Sequence, residues 1–379
     1  MSSKKIKILH IQETIGSGGV ERRRLSLAKH LDKNLFEQKF ICTFERGNIP
    51  QDIRAEGWEL LSVGRLKHPF QITQHKKIQK IIDDFQPDII HGAVFEGVTM
   101  AALNGWFKKV PIVIIEETSD PQNRSWRANF LMKLFAKLST AVVGVSPAVT
   151  VEYLTRKLKL KPSKVKLINN GVALGRKVSD EELKKARLSW GIADDDFVVG
   201  SVGRMLDDST KRFSDIIYAY AEFSKVATQS KLVLVGDGPE RVKYEKLVAG
   251  LGLQDKVLFV GYQSDMSLFY SMMNVFTLMS SHESFGLVLA EAMLHKLPVI
   301  ATKVGGMKYI VLDKKTGFLI EKYNVNSLAE KLLMLYQNQA LAIEMGNLGF
   351  QRAMEEFTEE SYVTKVENLY LDLYNHICK

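Results

Sequence analysis

Cysteine is almost absent. The 379-residue chain carries two, Cys42 and Cys378, with no ladder of spaced partners. That excludes a disulfide framework and a thiolate zinc site, and it fits a reducing compartment. Long apolar runs are also missing: nothing approaches the roughly 18 continuous residues of a membrane-spanning helix. The polar start, Met1 to Lys7, leads into Ile8–Ile11. That run is too short for the apolar core of a secretory leader and reads as a first strand, so a cytoplasmic location is expected. There is no internal low-complexity tract and no recognised nucleic-acid-binding module.

What is present is ordinary in bulk. Hydrophobic residues make up 46% and charged residues 25%, as in soluble globular proteins. The length suits two domains. Lys and Arg exceed Asp and Glu by 52 to 43, a net +9, with a pI near 9.2. That balance favours acidic partners: phosphorylated small molecules, anionic lipid surfaces or nucleic acid. It does not choose among them.

Strand and helix patterns alternate from end to end. Strands are expected at Ile6–Ile11, Asp88–His91, Pro111–Glu116, Ala141–Val145 and Val165–Ile168 in the first half. In the second they are expected at Phe197–Val202, Leu232–Val235, Val257–Val260, Val275–Met279 and Val299–Thr302. Phe213, Ile216, Ile217, Tyr220 and Phe223 fall on one helix face. Apolar runs alternating with helices argue for parallel sheets covered on both sides. The expected fold is therefore α/β, two tandem Rossmann-like domains with a cleft between them. Turn chemistry at Asn169-Asn170-Gly171 and the polar stretch behind it place the boundary near 170–176. The domains are 1–172 and 173–359, with a C-terminal helix at about 360–379 packing back on the first.

The strongest local pattern is Ser281-His282-Glu283-Ser284-Phe285-Gly286-Leu287, continuing through Glu291-Ala292-Met293 to Pro298-Val299-Ile300. Glu283 lies in a loop after a strand, and Glu291 lies inside the following helix. Glu291 has apolar neighbours, a costly place for a carboxylate without partners. Sugar and ribose hydroxyls suit it, because a carboxylate can accept two at once. A helix start near Phe285 offers free N–H groups to a pyrophosphate. Upstream, Val202-Gly203-Arg204 is followed seven residues later by Lys211. An arginine past a strand end and a lysine at the next helix can together neutralise a diphosphate. The bland alternative is a helix cap with solvated surface charges.

This segment closely resembles the family 4 retaining glycosyltransferases of the GT-B fold. The match runs through Ser280, Glu283, Phe285, Gly286, Glu291, Ala292, Met293, Pro298, Gly305 and Gly306. It covers most of the chain and is stronger in the second half. The resemblance implies that Glu283 contacts the transferred sugar and Glu291 the ribose. It also implies that Arg204 and Lys211 clamp the pyrophosphate while Ser284, Phe285, Gly286 and Leu287 line it. The loop Gly16-Ser17-Gly18-Gly19 is not a dinucleotide fingerprint, since Glu21 stands where a third glycine would fall. In similar enzymes Gly18 and Gly19 approach the donor phosphate.

The chain also departs from the family. Relatives place His six residues after the proline of one first-domain strand. Counting from Pro111 gives Glu117. Glu116 or Glu117 is therefore expected either to contact an acceptor or sugar hydroxyl, or to cap the next helix. His91 closes another strand and is a candidate for the cleft or for simple packing. Relatives have Gly after the clamp lysine, where Arg212 stands here. After Gly305-Gly306 they often have Pro-Glu, where this chain has Lys308-Tyr309.

Asp194-Asp195-Asp196 reads as a solvated turn, and with two cations in the clamp no metal or other cofactor is required. The segment Arg124–Lys137 interleaves Trp126, Phe130, Leu131, Leu134 and Phe135 with Arg124, Arg127, Lys133 and Lys137. It reads either as a domain helix with a basic rim or as a dock for an anionic membrane.

The expected activity is retaining transfer of a hexosyl unit from a nucleoside diphosphate sugar to a glycan or lipid-linked glycan hydroxyl. The setting would be polysaccharide, lipopolysaccharide or glycolipid assembly at the inner face of the cell membrane, with no nucleic-acid partner. The catalytic candidates are Glu283, Arg204, Lys211 and Glu117. A non-catalytic sugar-nucleotide binder or a nucleotide-sugar epimerase are the alternatives.

Overall fold

Apolar runs rich in Ile and Val become the buried central strands of two parallel sheets. A computed structural model describes residues 4–16, 18–119, 124–206 and 208–378. The chain divides into two compact units, Met1–Gly171 with Glu359–Lys379, and Val172–Thr358.

The first unit opens with β1 (Ile6–Ile15), α1 (Gly19–His30), β2 (Phe36–Glu45), α2 (Ile49–Ala55) and β3 (Glu59–Ser62). Next come α3 (Ile72–Phe85), β4 (Ile89–Ala93), α4 (Val94–Phe107), β5 (Ile112–Glu117) and α5 (Trp126–Leu138). β6 (Ala141–Gly144), a wide π-helical segment (Ala148–Lys157) and β7 (Val165–Leu167) complete its first stretch. The seven strands lie in the order β3-β2-β1-β4-β5-β6-β7, and every pairing is parallel.

The second unit runs α6 (Asp180–Ser189), β8 (Phe197–Val202), α7 (Asp208–Lys211), α8 (Phe213–Phe223), β9 (Ser230–Val235) and α9 (Arg241–Gly250). It continues with β10 (Val257–Gly261), α10 (Met266–Met272), β11 (Val275–Leu278), α11 (Leu287–Leu294), β12 (Val299–Thr302), α12 (Met307–Ile310) and β13 (Gly317–Ile320). α13 (Val325–Gln337) and α14 (Gln339–Glu356) end it. Its parallel order is β10-β9-β8-β11-β12-β13. The chain then returns to the first unit as α15 (Glu359–Ile377).

Both sheets reverse their winding next to their first strand, between β1 and β4 and between β8 and β11. Open sheets of this kind bind ligands at the carboxyl ends of the strands flanking such a reversal. The apolar face of α8 packs into the second core with Leu232, Leu234, Val275 and Leu332.

α15 is fixed by a different means. Tyr362, Val363, Val366, Leu369 and Tyr370 pack against Ile8, Leu27, Ile112 and Ile114. Polar contacts lie within the same packing. Glu116 is 2% exposed. It pairs with Arg23, and its Oε2 receives Arg24 Nη2 at 3.0 Å. His91 Nδ1 accepts from the Tyr370 hydroxyl at 2.6 Å. That leaves the ring proton on Nε2, 3.5 Å from Glu116 Oε2. Arg23 also lies over the Tyr362 ring. Of the two readings left open for His91, the cleft or simple packing, the structure shows packing. His91 and Glu116 are both enclosed, with partners on α1 and, for His91, on α15.

This cluster makes stability depend on pH. Burial opposes the charge on Glu116, but Arg23 and Arg24 outweigh it and hold the carboxyl well below its usual range. Burial, then Arg24, push His91 down to about 4. From the ordinary histidine pKa of about 6.5 down to about 4, the unfolded chain binds a proton that the folded chain refuses. Stability is therefore complete above that window and falls as pH drops through it. Glu116 adds a further loss at lower pH. Urea midpoints should decline as pH falls from 7 to 4, and His91→Gln should flatten part of that decline. Glu116→Ala strands two buried guanidiniums and should cost about 3–5 kcal/mol in urea denaturation.

Candidate active site

The end of β8 is pinned on both sides of Arg204. Gly203 N donates to Val235 O at 3.0 Å, and Met205 N donates to Asp237 O at 2.9 Å. Met205 is buried. The residue between these anchors is left exposed, and Arg204 has no hydrogen-bond or ion-pair partner among the described residues.

Lys211 closes the short α7, and Arg212 after it has φ 54° and ψ 43°. This left-handed conformation is one that glycine adopts at no steric cost. A non-glycine residue in it costs roughly 1–2 kcal/mol. Arg212 offsets the cost with a two-pronged bond to Asp215, Nε to Oδ2 at 2.9 Å and Nη2 to Oδ1 at 2.6 Å. Its guanidinium also lies over the Tyr323 ring at 4.9 Å. The bulk that seemed a departure in the sequence is a substitute anchor.

The loop after β11 is stitched to the loop after β8. Ser281 N donates to Thr210 O at 2.8 Å, and the Ser281 hydroxyl bonds Ser209 O. This brings Glu283 to Lys211, with Nζ 2.7 Å from Oε2. Both side chains are partly exposed, at 20% and 25%. Phe285 is buried against Phe357. Gly286, at φ 107°, precedes the first turn of α11. That helix starts at Leu287, two residues later than expected, so Ser284 and Phe285 lie in the loop. Glu291 lies within α11 and accepts from the Tyr270 hydroxyl at 2.8 Å. His295 stacks on Tyr270 at 4.9 Å and donates Nδ1–H to Glu291 O at 2.8 Å. Tyr270 and His295 were not singled out from the sequence. No spacing rule links α10 to α11; their meeting follows from tertiary packing.

In the first unit, Gly18 is the exposed cap of α1 and Gly19 its first residue; Ser17 lies outside the described residues. Glu117, expected as a catalytic candidate, is 3% exposed. Ser119 N and Oγ donate to its Oε1 at 3.0 and 2.8 Å, and Arg124 bonds both oxygens. Burial raises its pKa, and Arg124 partly offsets that. Glu117 thus anchors the segment leaving β5 instead of presenting a free carboxylate. Arg124 also lies against Phe95 and Tyr153, so it leaves the basic surface of α5. Asp194–Asp196 form a turn before β8, where Asp196 accepts from Ala193 N at 2.8 Å.

Gly306 holds the Glu283 loop. Its N–H donates to Glu283 O at 2.9 Å, and a Cβ there would stand 2.3 Å from Ser284 O and 2.7 Å from Phe285 Cα. Gly306→Ala should therefore displace Ser284 and Phe285. Urea denaturation should show a loss of about 1–3 kcal/mol, the usual range for overpacking, together with weakened binding of a nucleoside diphosphate by calorimetry.

Comparison with known proteins places this geometry. The model for glycosyl transferases group 1 matches residues 183–352, and the model for glycosyltransferase family 4 matches residues 17–176. The Bacillus anthracis N-acetyl-alpha-D-glucosaminyl L-malate synthase is 31% identical over 248 residues, which is 65% of this chain and 63% of that relative's own length. An Escherichia coli UDP-Gal:alpha-D-GlcNAc-diphosphoundecaprenol alpha-1,3-galactosyltransferase is 24% identical over 384 residues, 97% of each. Anabaena HepE, solved in complex with UDP, superposes with a TM-score of 0.85 at 20% identity, covering 97% of this chain and 100% of that one. At that identity the likeness shows a shared fold, the GT-B arrangement of two α/β units. With one model matched to each half, the chain belongs to the glycosyl transferases of group 1, glycosyltransferase family 4.

Proposed function

We propose that the protein is a retaining glycosyltransferase. It would move a hexosyl unit from a nucleoside diphosphate sugar to a hydroxyl of a glycan or lipid-linked glycan in polysaccharide or lipopolysaccharide assembly. The observation that carries this reading is the meeting of Lys211 and Glu283 at the switch point of a group 1 domain, near Arg204, which has no partner among the described residues. Departure of the sugar leaves charge on the diphosphate. Arg204, Lys211 and the first turn of α11 are poised to stabilise it. Glu283 and Glu291 accept hydroxyls of the sugar and ribose. A donor phosphate oxygen takes the acceptor's proton, so no protein nucleophile is needed. With two cations in the clamp, a divalent metal is not required. The UDP named in the Anabaena complex supports a nucleotide donor.

α5 supports an anionic membrane as partner. Trp126 and Phe130 are 73% and 62% exposed, and Arg127, Lys133 and Lys137 are exposed beside them. Trp106 and Phe107, at the end of α4, are exposed as well. Aromatic side chains with a basic rim suit a headgroup layer. No helix among the described residues is long and apolar enough to cross a membrane, so the contact would be peripheral. The acceptor lipid named for the Escherichia coli relative is consistent with such a site of action.

Turnover should be measured with a panel of UDP-sugars and the anomeric configuration of the product read by NMR. Retention is expected, with activity that persists in EDTA. Arg204→Ala and Glu283→Ala should each lower turnover by about a hundred-fold or more, the scale for losing one preorganised electrostatic contact. Normal transfer by both variants would rule out this site, and tight UDP binding without any turnover would favour a non-catalytic binder. For the membrane reading, Trp126→Ala combined with Lys133→Ala should abolish co-sedimentation with phosphatidylglycerol vesicles. Equal sedimentation with phosphatidylcholine would argue against a charge-guided contact.

A further inference from the structure

α11 reads Leu-Val-Leu-Ala-Glu-Ala-Met-Leu, and Glu291 is its one charged residue. Leu289, Ala290, Ala292, Met293 and Leu294 around it are buried. A carboxylate in such company is tolerated only with hydrogen-bond partners. Tyr270, on α10 and 1% exposed, supplies one: its hydroxyl donates to Glu291 Oε2 at 2.8 Å. Val288 O, the other acceptor near that hydroxyl, is 3.5 Å away, so the proton goes to the carboxylate. Glu291 Oε1 has no hydrogen-bond or ion-pair partner among the described residues. We propose that Tyr270 is a positioning residue for the donor. It fixes the Glu291 carboxylate so that Oε1 accepts the ribose 2′-hydroxyl, and it thereby sets a preference for ribonucleotide over 2′-deoxyribonucleotide donors. The proposal rests on the transferase reading above, in which Glu291 meets the ribose.

The phenol is itself held. His295 stacks on the Tyr270 ring, with centroids 4.9 Å and planes 30° apart. Phe276, buried on β11, lies against the same ring at 5.8 Å. His295 Nδ1–H donates to Glu291 O at 2.8 Å. Its Nε2 is enclosed without a hydrogen-bond partner. The backbone at Gly175 packs against this ring: a Cβ there would stand 2.6 Å from His295 Cε1 and 2.8 Å from Ser267 Oγ. Ser267 lies on α10 and accepts from Arg176 N at 3.0 Å. The contacts therefore close a triangle. Tyr270 binds the Glu291 side chain, His295 binds the Glu291 main chain, and the two rings stack on each other.

This arrangement bears on selectivity. Ordering a glutamate side chain costs rotamer freedom. Here the cost is met on folding, before a nucleotide arrives, which favours binding. An ionised carboxylate has lone pairs on both oxygens. The phenol takes one of them, and the orientation it imposes decides which way the others face. Without the phenol oxygen the carboxylate can swing toward solvent, and the ribose 2′-hydroxyl must order it again. A 2′-deoxy donor makes no such demand. The loss therefore falls chiefly on the ribonucleotide. A tyrosine that only packed would weaken both ligands alike when altered.

The test uses the full chain and calorimetric titration of UDP, GDP and ADP, each beside its 2′-deoxy form. The base that binds most tightly carries the measurement. The wild type should bind the ribonucleotide about ten-fold or more tightly than its deoxy form, the scale of one hydrogen bond to a charged group. Tyr270→Phe keeps the ring and its stack. It should cut that ratio about five-fold or more and leave the Kd for the deoxy form within about two-fold. Glu291→Ala should abolish the preference, and adding Tyr270→Phe to it should change nothing further, because one residue acts through the other. An undiminished ratio in Tyr270→Phe, an equal loss for both ligands, or additive losses in the double variant would overturn the proposal. A wild type that binds both forms equally would also overturn it and leave the transferase reading standing. Failure to bind any of the three ribonucleotides would instead defeat the transferase reading, and the proposal with it.

Discussion

The contact between Lys211 and Glu283 depends on two strand ends that are distant in sequence and adjacent in space. β8 and β11 are neighbours only because the sheet reverses between them. Their loops are then fastened by the main-chain bond from Ser281 to Thr210. The ammonium and carboxylate compensate one another, so a partly buried Glu283 is tolerated at modest cost. A donor bearing both phosphate charge and hydroxyls offers each member of the pair a new partner. In the proposed function the site is held closed by the same two groups that the donor would separate.

The two units use charge differently. In the first, Glu116, Arg23, Arg24 and His91 are interior and serve to seat α15. Removing any one leaves the others in a low-dielectric setting, which makes the cluster a structural device sensitive to acid. In the second, Arg204 and Lys211 stay near the surface, where a diphosphate can reach them. Backbone strain follows the same division of labour. Arg212 and Val94 both adopt left-handed conformations, one beside the clamp lysine and one at the start of α4. Arg212 recovers its cost through Asp215 and Tyr323. Val94 is held by the packing of α4 against β1.

Much of this was legible in the order of residues. Apolar runs of strand length alternating with amphipathic helices specified two parallel α/β units. The Glu283 to Glu291 framework specified where the second unit gathers its charges. The first unit was harder to read, and the reason is physical. A glutamate at the end of a buried strand looks the same in sequence whether it meets solvent or a guanidinium. Glu116 and Glu117 meet Arg23, Arg24 and Arg124 only because α1, α15 and the segment before α5 close over them. Tyr270 and His295 escaped notice for a related reason, since α10 and α11 are brought together by packing and not by period. The strand β13 was missed too, because the short run Gly317–Ile320 carries little pattern of its own. Arg212 was noticed, but its backbone conformation was not predictable from its side chain.

The central claim is that the donor opens the Lys211–Glu283 pair, with the phosphate taken by the lysine and the sugar by the glutamate. Calorimetric titration of UDP and of the preferred UDP-sugar into the wild type and Glu283→Gln tests it most directly. If the claim is right, the variant binds UDP at least as tightly as the wild type, because Lys211 is no longer engaged. It then loses the added affinity that the sugar confers. A parallel drop in affinity for both ligands would show that Glu283 supports the loop and does not contact the sugar, and would contradict the account.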